Sequence, residues 1–288
     1  MRRNRFQVTS SKSWLWKIAL AVLVSGNALA QGPNTDPVIT AIQAESGAGE
    51  IITLIEQDPS VWAVSLTANA TPPRGTVILL HDLGGHADSP RVIASLRRQF
   101  HATGWSSLSV TLTALRPRQL TAPAVDLFKS SQAALDAAVA KARAQNPGHI
   151  VFLGYGLGAV VAAQFLATKT NHGVAGFIAI ATPVDKTPYP ELYVPEYLNK
   201  VTIPTLDIFG GNDDARVVST AAQRSQAMRA ALGPGSSKSE SAIKADVTPP
   251  RYRQVALMGA DHEFTGMDGL LGKRVVTWLG RYFAEVEK

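Results

Sequence analysis

Apolar residues along the chain follow two alternating patterns, one typical of buried strands and one typical of helices. The segments GTVILLHD and HIVFL are short, uninterrupted and rich in branched residues, as expected of strands covered on both faces of a sheet. SPRVIASLRRQFHATG and LGKRVVTWLGRYFAEV instead repeat their apolar residues with the period of a helix. This alternation predicts the α/β class, with a mostly parallel central sheet and helices on both of its faces.

Further segments continue the alternation of predicted strands and helices, and two segments between them fit neither pattern. The predicted strands are SSLSVTL, VAGFIAIA, IPTLDIFG and RYRQVALM, and the predicted helices are AVDLFKSSQAALDAAVAKARAQ, Leu157 to Thr168 and STAAQRSQAMRAAL. EIITLIEQ and VWAVSLTA flank Asp58-Pro59-Ser60, which predicts an N-terminal antiparallel hairpin that turns there. Residues 183–200, rich in proline and tyrosine, are a candidate lid, and residues 233–247 have the composition of a mobile surface loop.

Residues 1–30 have the pattern of a secretory signal peptide. Five basic residues precede the short apolar core IALAVLVSG, and the triplet Ala28-Leu29-Ala30 forms a cleavage site. A stable membrane span needs roughly 20 apolar residues, and this core is far shorter, so the segment is not expected to be a membrane anchor. No span is expected after its cleavage. The protein is therefore predicted to be periplasmic or secreted, by either the general or the twin-arginine route. Residues 31–48 are predicted to be a flexible lead-in to a single domain over residues 49–288.

Removal of that segment also changes the charge balance. The chain has 28 basic and 22 acidic residues, and loss of the five basic residues at the start leaves 23 against 22. Nucleic-acid binding needs a basic excess on one face, so nucleic acid is not an expected partner. The chain has no cysteine, which excludes disulfides and a cysteine-linked lipid anchor.

The stretch IVFLGYGLGA contains a glycine turn between a predicted strand and a predicted helix. Gly154, Gly156 and Ala159 match the G-x-G-x-x-A pattern of dinucleotide-binding loops. That motif also requires an acidic residue roughly 20 residues further on, to bind the ribose. The segment NHGVAGFIAIATP has none at that distance, so a dinucleotide-dependent oxidoreductase is a distant alternative and no cofactor is expected.

The same turn also fits the frame of a nucleophile elbow, G-x-S-x-G, with Gly156 at the nucleophile position. In that fold an acid and then a histidine follow the elbow along the chain. Asp213 or Asp214 follows the strand IPTLDIFG, and His262 follows the strand RYRQVALM. Upstream, the loop HDLGG follows a buried strand, where the loop of an oxyanion hole belongs.

On these motifs the chain resembles proteins of the α/β-hydrolase fold over about residues 49–288. More narrowly, it resembles an uncharacterised family of exported bacterial proteins with an HDLGG-like loop, a strand like ATGWSSLSV and a glycine-only elbow. The resemblance implies an α/β-hydrolase-like sheet and places Leu83, Gly84, Leu157 and Tyr155 around the oxyanion or binding site. It implies no settled activity.

Glycine supplies no attacking atom, and loss of the nucleophile in a serine hydrolase costs about 2 × 10⁶ in kcat. We therefore expect a degenerate triad and a role in binding or scaffolding, with a small acyl-type ligand or a protein as partner. The alternative is a hydrolase or lyase in which a His262–Asp213 dyad acts as general base without a covalent intermediate. Asp82 weakens this alternative, because a carboxylate that faces the oxyanion hole opposes negative charge.

Three other predictions concern the histidines of the oxyanion loop, metal binding and the tyrosines of the candidate lid. His81 is expected to be a strand-end histidine that bonds to the backbone. His81, Asp82 and His86 match no standard spacing of metal ligands, so no metal is expected. Tyrosines 189, 193 and 197 are candidates for the inner surface of the lid over a cleft.

Overall fold

The computed structural model describes Met1 and residues 36–283, except residues 46, 48, 121–122, 187 and 234–250. The predicted signal peptide and nearly all of the predicted loop over residues 233–247 lie outside the described residues, so both stay predictions. None of the helices in the described part of the chain has the length and apolar character needed to cross a bilayer.

The centre of the fold is a sheet of eight strands among the described residues. The strands are β1 (Glu50–Ile55), β2 (Asp58–Leu66), β3 (Gly75–Leu80), β4 (Ser106–Val110), β5 (His149–Tyr155), β6 (Gly176–Ile180), β7 (Thr205–Gly210) and β8 (Tyr252–Leu257). Their order across the sheet is β1-β2-β4-β3-β5-β6-β7-β8. The pairs β1–β2 and β2–β4 are antiparallel, and every other pair is parallel. The predicted sheet, with its antiparallel N-terminal pair, is confirmed.

Helices cover both faces of the sheet. They are α1 (Pro37–Ala44), α2 (Ile93–Ala102), α3 (Ala124–Gln145), α4 (Leu157–Thr168), α5 (Pro195–Leu198), α6 (Ala215–Val218), α7 (Ala221–Leu232) and α8 (Asp268–Tyr282). Apolar residues of α2 and α8 pack with Val77 and Leu79 of β3 on one face. Residues of α3, α4 and α7 pack with Ile78 and Leu80 on the other. Every residue of β3 is buried, which explains its uninterrupted apolar sequence.

The hairpin turns two residues earlier than its sequence indicates. Asp58 is already paired with Ile55, so the turn is formed by Glu56 and Gln57 and the predicted Asp58-Pro59-Ser60 turn is wrong. The pairing between β1 and β2 is irregular beside Pro59, which lies outside the paired positions. Proline lacks an N–H and is tolerated at such an irregular strand start.

The predicted lead-in over residues 31–48 contains a helix, α1, and is not a loose segment in its described part. The Asp36 side chain accepts a hydrogen bond of 3.0 Å from the Val38 N–H and caps the helix. Ile39 and Ile42 are buried in a small cluster with Trp62. The helix has only eight residues and two buried apolar positions, too few to show a period in the sequence.

Four loops of the sheet supply the candidate site. They follow β3, β5, β7 and β8 and carry Asp82, Gly156, Asp213 and His262. These four strands are parallel, so their carboxyl ends lie along one edge of the sheet. In open parallel sheets this edge is where ligands bind.

Candidate functional site

The turn between β5 and α4 brings a strand and a helix into close contact. Gly156 has φ 56° and ψ −123°, a conformation that disfavours residues with a side chain. A Cβ atom at Gly154 would lie 2.3 Å from Ala159 Cα, and one at Gly158 would lie 2.5 Å from the carbonyl oxygen of Leu80. Tight packing of α4 against the sheet therefore accounts for the flanking glycines.

The Asp82 carboxylate fills the space beside Gly156. A Cβ atom at Gly156 would lie 2.0 Å from Asp82 Cγ, so a side chain at this turn and the carboxylate exclude each other. Asp82 Oδ1 accepts a hydrogen bond of 2.6 Å from the Leu157 N–H, at the N-terminus of α4. Asp82 Oδ2 lies 3.0 Å from His262 Nε2. The chain thus places a carboxylate where the elbow nucleophile was predicted to stand.

His262 lies between two carboxylates. Its Nδ1 is 2.7 Å from Asp213 Oδ1, opposite the contact with Asp82. The Asp213 side chain has no exposed surface, whereas the Asp214 side chain is 45% exposed, caps α6 and pairs with Arg216. The structure therefore pairs Asp213 with the histidine, a choice that the sequence left open between the two aspartates.

The two carboxylates hold the imidazole as a cation. Each ring nitrogen faces a carboxylate oxygen, so each donates a hydrogen bond, and a ring with two N–H donors is an imidazolium. Burial lowers the pKa of His262, but hydrogen bonds and charges from Asp213 and Asp82 outweigh it and raise the pKa to about 10. At neutral pH the ring therefore has no free lone pair with which to accept a proton.

Two of the predicted oxyanion donors are already engaged in other hydrogen bonds. The Leu157 N–H is taken by Asp82, and the Gly84 N–H donates to the carbonyl oxygen of Leu115 at 2.7 Å. Leu83 lines the cleft described below, but Gly84 does not. A carboxylate in contact with the Leu157 N–H opposes the approach of a second negative charge to that donor.

Tyr155 supports the histidine loop from behind. Its hydroxyl donates to the carbonyl oxygen of His262 at 3.2 Å, and the two rings lie 5.1 Å apart between centroids. Burial raises the pKa of this hydroxyl. Tyr155 does not line the cleft, so its contacts position the loop and reach no ligand there.

His81 is bonded to the backbone at the end of β3. Its Nε2 accepts from the Leu112 N–H at 3.0 Å, and its Nδ1 donates to the carbonyl oxygen of Asp82 at 2.8 Å. Burial lowers the pKa of His81 to about 4, so the ring is neutral. Among the described residues, no three histidine, aspartate or glutamate side chains are grouped to hold a metal ion.

A cleft of about 520 Å³ opens above the Asp82–His262 pair. Apolar side chains make up much of its wall, namely Leu83, Leu120, Leu157, Pro183, Pro188, Tyr189, Leu192 and Val217. Two arginines also line it. Arg216 pairs with Asp214 at 3.1 Å and with Asp185 at 3.8 Å. Arg118 is exposed and makes no ion pair within the part of the chain that the structure describes.

The candidate lid over residues 183–200 forms part of this wall. Of its three tyrosines only Tyr189 lines the cleft. Tyr193 lies under the Lys186 ammonium, and Tyr197 packs edge-on against Phe128. Movement of the segment stays a prediction.

Sequence reasoning missed two parts of the site. It identified Asp82 only as a carboxylate that would oppose negative charge in the oxyanion loop. The contact of Asp82 with the turn at Gly156 depends on the folded arrangement of two loops, which the sequence does not show. Arg118 and Leu120 lie in an irregular stretch before α3, where no pattern indicates a cleft.

Comparison with known proteins assigns the chain to a family. A family model described as "Protein of unknown function (DUF3530)" matches residues 35–127 and 123–281. The chain belongs to this family. No curated protein matches the sequence.

Solved structures show the same fold at low sequence identity. Est1E from Butyrivibrio proteoclasticus, with ferulic acid bound, is 13% identical with a TM-score of 0.59, over 78% of this chain and 96% of that one. A dienelactone hydrolase from Anabaena variabilis is 18% identical with a TM-score of 0.57, over 81% and 96%. An α/β serine hydrolase homologue from Coxiella burnetii is 16% identical with a TM-score of 0.54, over 76% and 91%. The DUF3530 chain therefore has an α/β-hydrolase fold.

Proposed function

We propose that this DUF3530 protein binds a small ligand in its cleft and forms no acyl-enzyme. The observation that carries the proposal is the Asp82 carboxylate, which fills the space of an elbow nucleophile and contacts both Leu157 and His262. The signal-peptide pattern of residues 1–30 supports a site of action in the periplasm or outside the cell.

Acyl transfer at an elbow needs a nucleophile, a general base and free oxyanion donors. Gly156 offers no attacking atom. His262 already carries the proton that a general base would have to accept, with a pKa of about 10. The Leu157 N–H is bonded to a carboxylate. The nucleophile is missing, the base is already protonated and the donor at the start of α4 is occupied, and Asp82 contributes to the last two of these defects.

The cleft itself suits ligand binding. Its volume of about 520 Å³ lies within the range of about 300–1,000 Å³ that is typical of small-molecule sites. An apolar wall beside a few charged groups is also typical of such sites. The solved structures that are similar to this chain support only the fold, since their identities to it are below 20%.

A second candidate function rests on the His262–Asp213 pair, whose 2.7 Å contact keeps the geometry of a catalytic dyad. A hydrolase or lyase without a covalent intermediate would use His262 as general base. The ring would first have to lose the proton that it shares with Asp82. The ion pair with Asp82 opposes that loss, so we favour binding.

Turnover of short acyl esters separates the two candidates. We expect wild-type mature protein to hydrolyse p-nitrophenyl acetate and butyrate no faster than His262→Ala, and to resist labelling by a fluorophosphonate. Turnover by the wild type that disappears in His262→Ala would establish the dyad enzyme instead. Thermal stabilisation by NADH or NADPH in the same preparations would revive the dinucleotide-binding alternative.

A further inference from the structure

The turn at Gly156 binds a carboxylate of the protein itself, that of Asp82. The carboxylate of Asp82 rests on the first N–H of α4 and on His262 Nε2, at 2.6 Å and 3.0 Å. The N-terminus of this 12-residue helix carries partial positive charge, and the imidazolium carries a full one. The two donors converge on one anion at the floor of the cleft, so they form a carboxylate receptor.

The internal carboxylate is placed so that it can exchange. The Asp82 side chain is 22% exposed and faces the cleft. Gly84, with φ 74°, and Gly85 follow it in the loop, where glycine eases a change of backbone conformation. Arg118 lies over this loop, because a Cβ atom at Gly84 would be 3.2 Å from Arg118 Cγ. Arg118 lines the same cleft as Asp82 and has no ion pair among the described residues, so its guanidinium is open to pairing with a displaced Asp82.

We propose that the ligand of the cleft is a monocarboxylate with an apolar body, whose carboxylate replaces that of Asp82 between the Leu157 N–H and His262. Asp82 then turns towards Arg118, and the apolar body lies along Leu120 and Leu192. The proposal rests on the proposed binding function and adds the chemical class of the ligand.

The exchange replaces one carboxylate by another on the Leu157 N–H and His262, so the apolar body of the ligand supplies most of the net binding free energy. One carboxylate leaves His262 as another arrives, and the number of ion pairs at the floor stays the same. The pair that Asp82 would form with the exposed Arg118 adds little, so apolar surface buried against the wall of the cleft is the main driving force. A ligand with a carboxylate and no apolar body, such as acetate, is therefore expected to bind weakly.

Asp82 acts as an internal competitor in this scheme. When a ligand binds only a minor conformation, its apparent affinity is reduced in proportion to the fraction of molecules in that conformation. Minor states are commonly populated at about 0.1–10%, so removal of the competitor is expected to tighten carboxylate binding by roughly 10- to 1,000-fold. This tightening distinguishes exchange from a site in which Asp82 itself contacts the ligand.

Calorimetric titration of the mature protein with matched probes tests the proposal. The probes are 5-phenylpentanoate, its neutral amide, the cation 5-phenylpentylamine, and acetate. The variants are Asp82→Ala, Asp82→Asn, His262→Gln and Asp185→Asn. Asp185→Asn is the matched control, because it also removes a carboxylate from the lining of the cleft but leaves the receptor intact. Asp82→Asn replaces Asp82→Ala if the latter lacks a cooperative unfolding transition.

We expect 5-phenylpentanoate to bind at least tenfold more tightly to Asp82→Ala than to the wild type, and less than threefold more tightly to Asp185→Asn. We expect His262→Gln to lose at least tenfold, and the amide and acetate to bind more weakly than the carboxylate throughout. Equal binding of amide and carboxylate would overturn the carboxylate head group but leave the binding function standing.

Two other results would also overturn the proposal. Preference for the amine, lost in Asp82→Ala, would show that Asp82 stays in place and recognises a cation. Absence of carboxylate binding to both Asp82 variants would show that the floor is no receptor. Neither result depends on ester turnover, which tests the proposed function separately.

Discussion

Gly156 and Asp82 act as a pair, because one leaves the space that the other fills. The missing side chain at Gly156 lets the Asp82 carboxylate reach the Leu157 N–H. The same carboxylate then keeps His262 protonated. A change at either residue should therefore alter the chemistry of all three.

Restoring a serine at the elbow provides a test of this pairing. We expect Gly156→Ser alone to be destabilised, because φ 56° costs a residue with a side chain about 1–3 kcal/mol and because its Cβ atom displaces Asp82. We expect the double variant Asp82→Gly, Gly156→Ser to react with a fluorophosphonate at least tenfold faster than the single variant. Removal of the carboxylate frees the Leu157 N–H and lowers the pKa of His262.

Labelling rates and denaturant unfolding of the two variants and of Asp82→Gly alone provide the measurement. Asp82→Gly lacks a nucleophile and should not label. Equal labelling of the single and double variants would mean that Asp82 does not block the site.

At the scale of elements, the position of α4 depends on glycines that allow it to approach β3. A Cβ atom at Gly158 would lie 2.5 Å from the carbonyl oxygens of both Leu80 and His81, and backbone atoms cannot move aside as a side chain can. The approach of α4 fixes the Leu157 N–H next to Asp82 and so sets the geometry of the site.

Alanine substitutions at two helical glycines test this dependence. We expect Gly158→Ala to lower the free energy of unfolding by about 1–3 kcal/mol, because the added methyl group overfills a packed contact. Gly280→Ala in α8 is the matched control. It meets no atom within 4 Å, and alanine is favoured over glycine inside a helix, so we expect a gain of about 0.5–1 kcal/mol. Urea unfolding measures both, and a neutral Gly158→Ala would contradict the close approach.

The elements that sequence reasoning predicted well are those with long or uninterrupted apolar patterns. The bounds Leu157 and Thr168 of α4 match the structure, and both buried strands β3 and β5 are present. The helix α1 was missed because two buried isoleucines show no period, and the hairpin turn was displaced because Asp-Pro-Ser has a turn composition even inside a strand.

The order of motifs along the chain also predicted which loops would meet. It predicted that His262 and Asp213 would lie close together, since the loops that follow parallel strands lie at one edge of the sheet, and the two side chains are in contact. It did not predict that Asp82 would contact Gly156, because that contact is between two loops and depends on the shape of the turn. A carboxylate in an oxyanion loop and a glycine at an elbow carry no joint signal in a single sequence.

At the scale of the whole molecule, the His262 ion pair makes stability depend on pH. The folded state raises the pKa of this histidine from 6.5 to about 10, so its protonation stabilises the folded protein. That contribution is complete below pH 6.5 and is lost as the pH rises through about 10. We expect the difference in free energy of unfolding between wild type and Asp82→Asn to be larger at pH 7 than at pH 10. Urea unfolding at the two pH values measures it, and a difference that grows with pH would contradict this assignment.

The Asp82 carboxylate fills the space of a side chain at Gly156 and holds His262 as an imidazolium. Nitrogen-15 NMR of the histidine ring, followed from pH 5 to pH 11 in wild type and Asp82→Asn, tests it most directly. We expect a doubly protonated ring through neutral pH, with a pKa near 10 that falls by about 1–3 in Asp82→Asn. A wild-type pKa near 6.5, or one that Asp82→Asn leaves unchanged, would contradict it.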